Sequence, residues 1–400
     1  MPSRTVLALT ALTALTASTL AATPAAAAGP RVVMVTTPAT GGAGNEDTPA
    51  ISADRRFVAF TAGDVTCRAG WSETVCGVYR RDLGTGAVVL VSATATGAAA
   101  TEDSFGPSIS ADGRYVSFTS DASLTPDGTG GVFRRDVQTG TTVLVAAGAG
   151  QSSISADGSR VAYVSGTDVS VRDLTTGVTT PAAPGMWPSL SADGRFVAFH
   201  SDSALLPADT NSGPDIYVTD IARRRTTLVS VSSTGEPAPD ANWGYIEGPS
   251  ISANGRFVAF ASHGSTLVPG DTNEAPDIFV HDRRTGTTER VSVSSTGEQL
   301  SGFSRYTAIS GSGRYVAFQS DAPDAVPGDT NDSPDIFVRD RVAGTTTRVS
   351  TAPDGTQSRW GGSRPTISAD GRGVAYLSYP ASLQPGDTGL RDEVFARLPR

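Results

Sequence analysis

The 400-residue chain contains no lysine; all 31 of its Lys+Arg positions are arginine. Against 40 Asp and Glu this leaves a net charge of −9, which argues against nucleic acid and anionic membrane as general partners. With abundant Ala and Gly, the missing lysine reads as the codon bias of a GC-rich genome rather than as chemistry. Arginine as sole cation still suits buried pairing, and Arg339 beside Asp340 is the expected example. Histidine is scarce as well. His200, His263 and His281 are scattered, no His-Glu-x-x-His occurs, and a lone strand histidine reads as structural. The chain has no Gly-x-Ser-x-Gly elbow, so an attached serine hydrolase finds no support. No helix is evident after residue 28, and a glycine-rich phosphate loop opening a helix is excluded with it. Carboxylate pairs for glycoside chemistry cannot be singled out, because Asp recurs throughout the chain.

Cysteine is limited to Cys67 and Cys76. In an exported protein these are expected to close a short loop as a disulfide, which contributes roughly 2–3 kcal/mol through chain entropy. Two cysteines without a nearby histidine do not make a metal site. Export itself is read from the first 28 residues. Met1-Pro-Ser-Arg4 is positive, Val6 to Leu20 is apolar, and Ala21 to Ala28 offers an Ala-x-Ala cleavage site. The apolar run is short and Thr-rich for a bilayer span, and no Cys follows it to carry a lipid. Residues 1–28 are thus expected to be a signal peptide, leaving 29–400 as one secreted, monomeric domain without a membrane span.

What the chain has in quantity is one hairpin, repeated. Pro249-Ser-Ile-Ser-Ala-Asn-Gly-Arg-Phe-Val-Ala-Phe260 places Asn-Gly between apolar runs, a strong local hairpin signal with both turn residues expected at positive φ. Its shared apolar residue recurs at Ile51, Ile109, Ile154, Leu190, Ile251, Ile309 and Ile367. A third strand follows in each unit, as in Ile278-Phe-Val-His-Asp282 and Ile336-Phe-Val-Arg-Asp340. A Thr-Gly turn and a fourth strand come next, the latter read at Arg290-Val-Ser-Val-Ser294. Fixed-signature units built only from strands mean propeller blades or a solenoid. The seventh unit ends at Glu393-Val-Phe-Ala-Arg397 with no fourth strand, and Arg31-Val-Val-Met-Val-Thr-Thr37 resembles the missing piece. The expected fold is all-β: a single seven-bladed propeller of four antiparallel strands per blade, closed by the N-terminal strand.

The run Ser-Ala-Asp-Gly-Arg-(Phe/Tyr)-Val-Ala-Phe followed by Asp-Ile-Phe-Val-Arg-Asp resembles the TolB-like, WD-related propeller repeat of bacteria. That family reads Ser-Pro-Asp-Gly where this chain has Ala53, Ala111, Ala156, Ala192, Ala253 and Ala369. The resemblance covers nearly the whole chain after residue 28 and implies fold; propellers host binding and catalysis alike. TolB carries an additional α/β domain before its propeller, for which this chain has no room.

Up-and-down topology puts the second-to-third-strand loops and the loops leading into each blade on one face. All four tryptophans, Trp71, Trp187, Trp243 and Trp360, fall in these loops, joined by Phe105, Tyr245, Phe303 and Tyr306. Aromatics there mark a recognition surface for a glycan or protein, or else plug the loops. The same face carries Asp209-x-Asn211-x-x-x-Asp215, Asp271-x-Asn273-x-x-x-Asp277 and Asp329-x-Asn331-x-x-x-Asp335. Three oxygen side chains per loop suit Ca²⁺, and the same residues suit tight Asx turns. The sequence therefore points to an exported binding or scaffold protein without catalysis and without a required cofactor, with turn chemistry the favoured reading of those loops and calcium its alternative. A propeller lyase or hydrolase acting on polysaccharide, with or without a metal, and a structural cell-envelope protein are the alternatives.

Overall fold

The computed structural model describes residues 30–37, 42–43, 48–63, 75–211, 213–238, 248–380, 383 and 392–399. Among them there is no α-helix, and the strands form seven antiparallel sheets arranged as a ring. In blade 5 the inner strand is Ser250–Ile251, the second Phe257–Ser262, the third Asp277–Asp282 and the outer Thr287–Arg290. The outer strand thus lies earlier than the sequence placed it. The Val-Ser-Val-Ser segment instead enters a small hairpin bridged at Val293 and Gln299.

Closure follows the expectation. Arg31–Met34 is the outer strand of blade 7, antiparallel to Glu393–Leu398, with Arg31 opposite Leu398 and Met34 opposite Phe395. Val35 N–H donates to the Val394 carbonyl at 2.6 Å, extending the ladder by one residue. The edge of Glu393–Leu398 is thereby covered, and Arg31–Met34 takes the outermost place in the sheet.

The core is not one cluster but seven, each shared by two neighbouring blades. Ile51, Val58 and Phe60 of blade 1 pack on Leu377 and Val394 of blade 7. Ala59 and Val78 turn the other way, onto Val116, Phe118 and Phe133 of blade 2. Each sheet is therefore covered on both faces, and its second strand reads as an almost continuous apolar run rather than an alternating one. Phe60, Phe118, Phe199, Phe260 and Phe318 are fully buried, each worth about 2–3 kcal/mol of transfer free energy.

The hairpin turn differs from the sequence reading in one respect: only its glycine is left-handed. Gly113 has φ 71° and Gly255 φ 72°, while the preceding Asp112 and Asn254 stay at negative φ. The turn is a four-residue loop in which Gly113 N–H donates to Ser110 O at 3.0 Å. Asp112 accepts from Ser110 Oγ at 2.7 Å and from Arg114 N–H at 3.0 Å. Tyr115 N–H then donates to Ser110 Oγ at 2.9 Å. Ser and Asp at these positions replace backbone partners that the tight turn leaves unpaired.

The alanine of the turn has its own reason. Ala53 N–H donates to Ala111 O, Ala111 to Ala156, Ala156 to Ala192, Ala192 to Ala253, Ala253 to Gly311 and Gly311 to Ala369, all at 2.9–3.1 Å. These bonds run around the axis from blade to blade. Proline has no N–H and could not carry them, so the departure from Ser-Pro-Asp-Gly is structural. A second hoop lies beside it: Ser108, Ser153, Ser189 and Ser250 each accept, through Oγ, the N–H of the next blade's shared Ile or Leu at 3.0–3.2 Å.

Candidate functional site: the axial mouth

On the face opposite the Asp-Gly turns, the inner strand is interrupted in five blades. The register against the second strand shifts between Phe105 and Ser108, Gly150 and Ser153, Met186 and Ser189, Arg305 and Ala308, and Ser363 and Thr366. In each bulge the residue three places before the shared apolar position is left-handed: Gly106, Gln151, Trp187, Tyr306 and Arg364, at φ between 49° and 62°. Glycine takes this conformation freely; Gln, Trp, Tyr and Arg pay roughly 1 kcal/mol or more each to hold it. Bulges of this kind re-aim side chains.

The re-aimed residues lie on the inner strands, and neighbouring ones meet across blades. Gln151 Oε1 accepts from Trp187 N–H at 2.7 Å, satisfying a donor that the bulge takes out of the ladder. Gly248, at the same offset in blade 5, lies against Trp187: a Cβ there would stand 2.6 Å from Trp187 Cβ. Arg364 stacks its guanidinium over Tyr306 at 4.8 Å. Gln151 is exposed and Trp187 keeps 38% of its surface accessible. The result is an aromatic and polar rim of Gln151, Trp187, Tyr306 and Arg364.

Beneath Trp187 lies His200, its ring 5.5 Å away and 2% exposed. Neither ring nitrogen makes a hydrogen bond; Asp202 Oδ1 is 3.3 Å from Nε2 but badly aligned. Burial pushes the His200 pKa down, and the Asp202 carboxylate offsets this in part, so the ring is neutral at neutral pH. His281 behaves as a structural strand residue. Its Nδ1 meets Thr288 Oγ1 at 2.9 Å, and burial, then the Arg283 charge, push its pKa down to about 4. His263 is half-buried, and its pKa is also lowered by burial.

The expected aromatic surface is realised in part. Trp187 and Tyr306 sit on inner-strand bulges rather than in loops. Phe105 begins the register shift in blade 2. Phe303 and Trp360 are 44% and 43% exposed in the segments leading into blades 6 and 7. Trp360 meets Tyr379 in a tilted ring contact at 6.0 Å and lies under Arg359 at 5.0 Å. Trp71, Trp243 and Tyr245 lie outside the described residues, as does Cys67. Cys76 is buried, and its N–H donates to Asp103 Oδ1 at 2.8 Å. Sequence reasoning passed over Gln151 and Arg364. The signal was present in the glycines at the same offset, Gly106 and Gly248, and in the prolines that follow Gly106, Trp187, Gly248 and Arg364.

The three Asp-Thr-Asn loops share their turn chemistry, and those of blades 5 and 6 add internal ion pairs. Asn211, Asn273 and Asn331 each accept, through Oδ1, the N–H two residues on, at 3.0–3.1 Å. Each donates Nδ2 to a carbonyl of the segment leaving its own blade: Ala238, Leu300 and Ser358. In blade 5, Arg290 lies 3.5 Å from Asp271 and 3.3 Å from Asp277, while Gln299 Nε2 donates to both at 2.9 and 3.0 Å. Blade 6 repeats this with Arg348 and Gln357 on Asp329 and Asp335. A guanidinium there brings the charge expected of calcium. Among the described residues, no group of three or more His, Cys, Asp or Glu side chains is arranged to hold a metal. The expected Arg339–Asp340 pair is also replaced: Asp340 binds Arg314 at 2.7 Å, and Arg339 donates to Ser294 O at 2.9 Å in the preceding blade's outgoing hairpin.

Fold and rim together define a seven-bladed β-propeller with a bulged axial mouth. No protein-family model matches the chain, and no curated protein matches it. Several solved structures are similar to it. One is the β-propeller domain of the trilobed protease from Pyrococcus furiosus, at 12% identity and TM-score 0.54, covering 87% of this chain and 91% of that one. Another is an oligogalacturonate lyase in complex with manganese, at 15% identity and TM-score 0.54, covering 94% of both. A putative TolB from Agrobacterium tumefaciens aligns at 17% identity and TM-score 0.43, over 80% of this chain and 96% of that one. At these identities the first two likenesses show the fold alone. Among the described residues, no helix is long and apolar enough to cross a membrane.

Proposed function

We propose that this chain is an exported recognition propeller that holds a glycan or protein partner at its axial mouth and performs no chemistry of its own. The observation that carries this is the row of left-handed bulges. Four bulky residues accept backbone strain to stand at one rim, and strain of this sort persists where surrounding structure enforces it for use. Trp187 and Tyr306 offer apolar faces, Gln151 an amide and Arg364 a fixed cation, the mixture found where partners are gripped. His200 beneath that rim is neutral at neutral pH, its pKa lowered by burial.

The experiment is a glycan array together with pull-down from the native secretome, using wild type, Trp187→Ala, Arg364→Ala and Val342→Ala. Val342 is 75% exposed in a third-to-fourth-strand turn on the opposite rim. Expected is a loss of at least about tenfold in affinity for the first two variants, about 1.4 kcal/mol, and none for the third. Equal binding by all four proteins overturns the axial site. Cleaved products from a bound polysaccharide would favour the lyase or hydrolase reading instead. Export predicts a mature N-terminus just after Ala28 and a Cys67–Cys76 disulfide, so native secreted protein should show no titratable thiol.

A further inference from the structure

Blade 4 breaks the pattern of its two successors at two positions. Its loop supplies the same Asp209, Asn211 and Asp215. Leu228 stands where blades 5 and 6 have Arg290 and Arg348, and Pro237 where they have Gln299 and Gln357. The cation and the amide that engage both carboxylates in the sister blades are therefore missing. The carboxylates are as buried as their counterparts: Asp215 is fully buried and Asp209 is 8% exposed. Ser230 Oγ donates to Asp215 Oδ1 at 2.5 Å, as Ser292 does to Asp277. Tyr217 donates its hydroxyl to Asp209 Oδ2, where blades 5 and 6 have Phe279 and Phe337. One oxygen of each carboxylate, Asp209 Oδ1 and Asp215 Oδ2, is buried without any hydrogen-bond partner.

Two adjacent buried carboxylates with two orphaned oxygens are not sustained by one tyrosine and one serine hydroxyl. Something positive completes them. We propose that a hard divalent cation of the Ca²⁺ class binds between Asp209 and Asp215, in the place that the arginine guanidinium holds in blades 5 and 6. The donors are oxygens only, which favours Ca²⁺ over softer ions; water supplies the rest of its shell. Asn211 is not a ligand: its Oδ1 accepts the turn N–H, and its Nδ2 donates to Ala238 and faces Asp215 as a donor, offsetting only part of the burial. The rival occupant is a single shared proton. Burial first, and the Asp209 carboxylate after it, push the Asp215 pKa up to about 6. The charged and titratable groups facing the site are Asp209, Asp215 and Tyr217; the position facing it from the outer strand is Leu228, which carries no charge.

The test is melting temperature and Tb³⁺ luminescence of the full secreted chain at pH 7.5. Terbium reports oxygen sites of this class, and Tyr217 is placed to sensitise it. Expected is a Tm about 4 °C higher in 1 mM Ca²⁺ than in chelator, with tyrosine-sensitised Tb³⁺ emission that Ca²⁺ competes away. Leu228→Arg/Pro237→Gln rebuilds the sister-blade arrangement. It should raise the Tm in chelator and abolish both metal responses. If that variant does not fold, Asp209→Asn should lose the Tb³⁺ signal. Equal Tm with and without Ca²⁺ in wild type overturns the proposal and leaves the proton as occupant. A metal response that survives Leu228→Arg/Pro237→Gln, or Asp209→Asn where that variant stands in for it, overturns it also, because the ion must then sit elsewhere.

Discussion

Asp82 and Asp215 are the same residue in opposite settings. The Arg56 guanidinium, bonded at 2.8 Å, holds the Asp82 carboxyl down to about 2, and Asp136 and Asp340 are held down to about 2 by Arg114 and Arg314. A depressed folded pKa gives stability that is present above the unfolded value near 4 and lost as pH falls toward 2. Asp215, raised to about 6, works the other way: its contribution is present below about 4 and lost as pH rises through 6. In chelator, Tm is therefore expected to fall at both ends, as pH drops from 4 to 2 and as it rises from about 4 to just above 6. The acid limb should shrink in high salt, because the arginines of these pairs are solvent-exposed. Asp215→Asn should flatten the upper limb, worth roughly 1–3 kcal/mol. A Tm in wild type that is level from pH 5 to 7.5 would contradict this assignment.

At the scale of the element, the Ser-Ala-Asp-Gly hairpin does two jobs. Within its blade, Ser and Asp close the turn. Between blades, the alanine N–H and the glycine form the seam. A Cβ at Gly113 would stand 2.2 Å from Phe57, and one at Gly313 2.2 Å from Phe257, so these turn glycines receive the preceding blade's first aromatic, and Gly194 receives Arg160. Ala111→Pro is expected to keep the hairpin, since proline suits the turn, but to delete the bond to Ala156 O at 2.9 Å. The buried carbonyl left behind should cost about 1–3 kcal/mol, read as a lower denaturation midpoint with unchanged far-ultraviolet circular dichroism. An unshifted midpoint would show that water replaces the lost donor.

At the scale of the whole ring, one seam is built differently, and both changes are visible in the sequence. Blade 7 has Gly373 where the other blades carry Phe, Tyr or, in blade 3, Arg160, and blade 1 has Arg55 where the others carry Gly. The two are complementary across the closing seam. A Cβ at Gly373 would lie 2.8 Å from Arg55 Cγ, and Arg55 Nε is 3.4 Å from Asp370. Arg55 holds φ 66° to do this. Gly373→Phe alone should therefore clash and destabilise by about 1–3 kcal/mol. Adding Arg55→Gly should restore stability, a coupling that urea titration of the double-mutant cycle measures directly. Removing residues 30–36 opens the same seam. It strips the outer strand from blade 7 and bares the Glu393–Leu398 edge, so a lower Tm and concentration-dependent association are expected. A monomeric, equally stable truncate would refute velcro closure.

The blade count, the strand identity and the closure were legible because each rests on local pattern: apolar runs, a turn signal and a unit that lacks its last strand. The rim was half legible. Trp187 and Tyr306 stood out by residue type. Gln151 and Arg364 did not, because a bulge is a matter of register between two strands, not of either strand alone. Likewise, the three Asp-Thr-Asn loops look alike in sequence. Their partners, Arg290 and Gln299 or Leu228 and Pro237, come from strands and hairpins 13 to 28 residues further on. By itself, then, the chain determined seven sheets and the way they close, since period and alternation are intrinsic to the sequence. Which side chains meet at the axis, and which buried carboxylates receive a cation from the protein itself, was decided only when the ring brought distant segments within bonding distance.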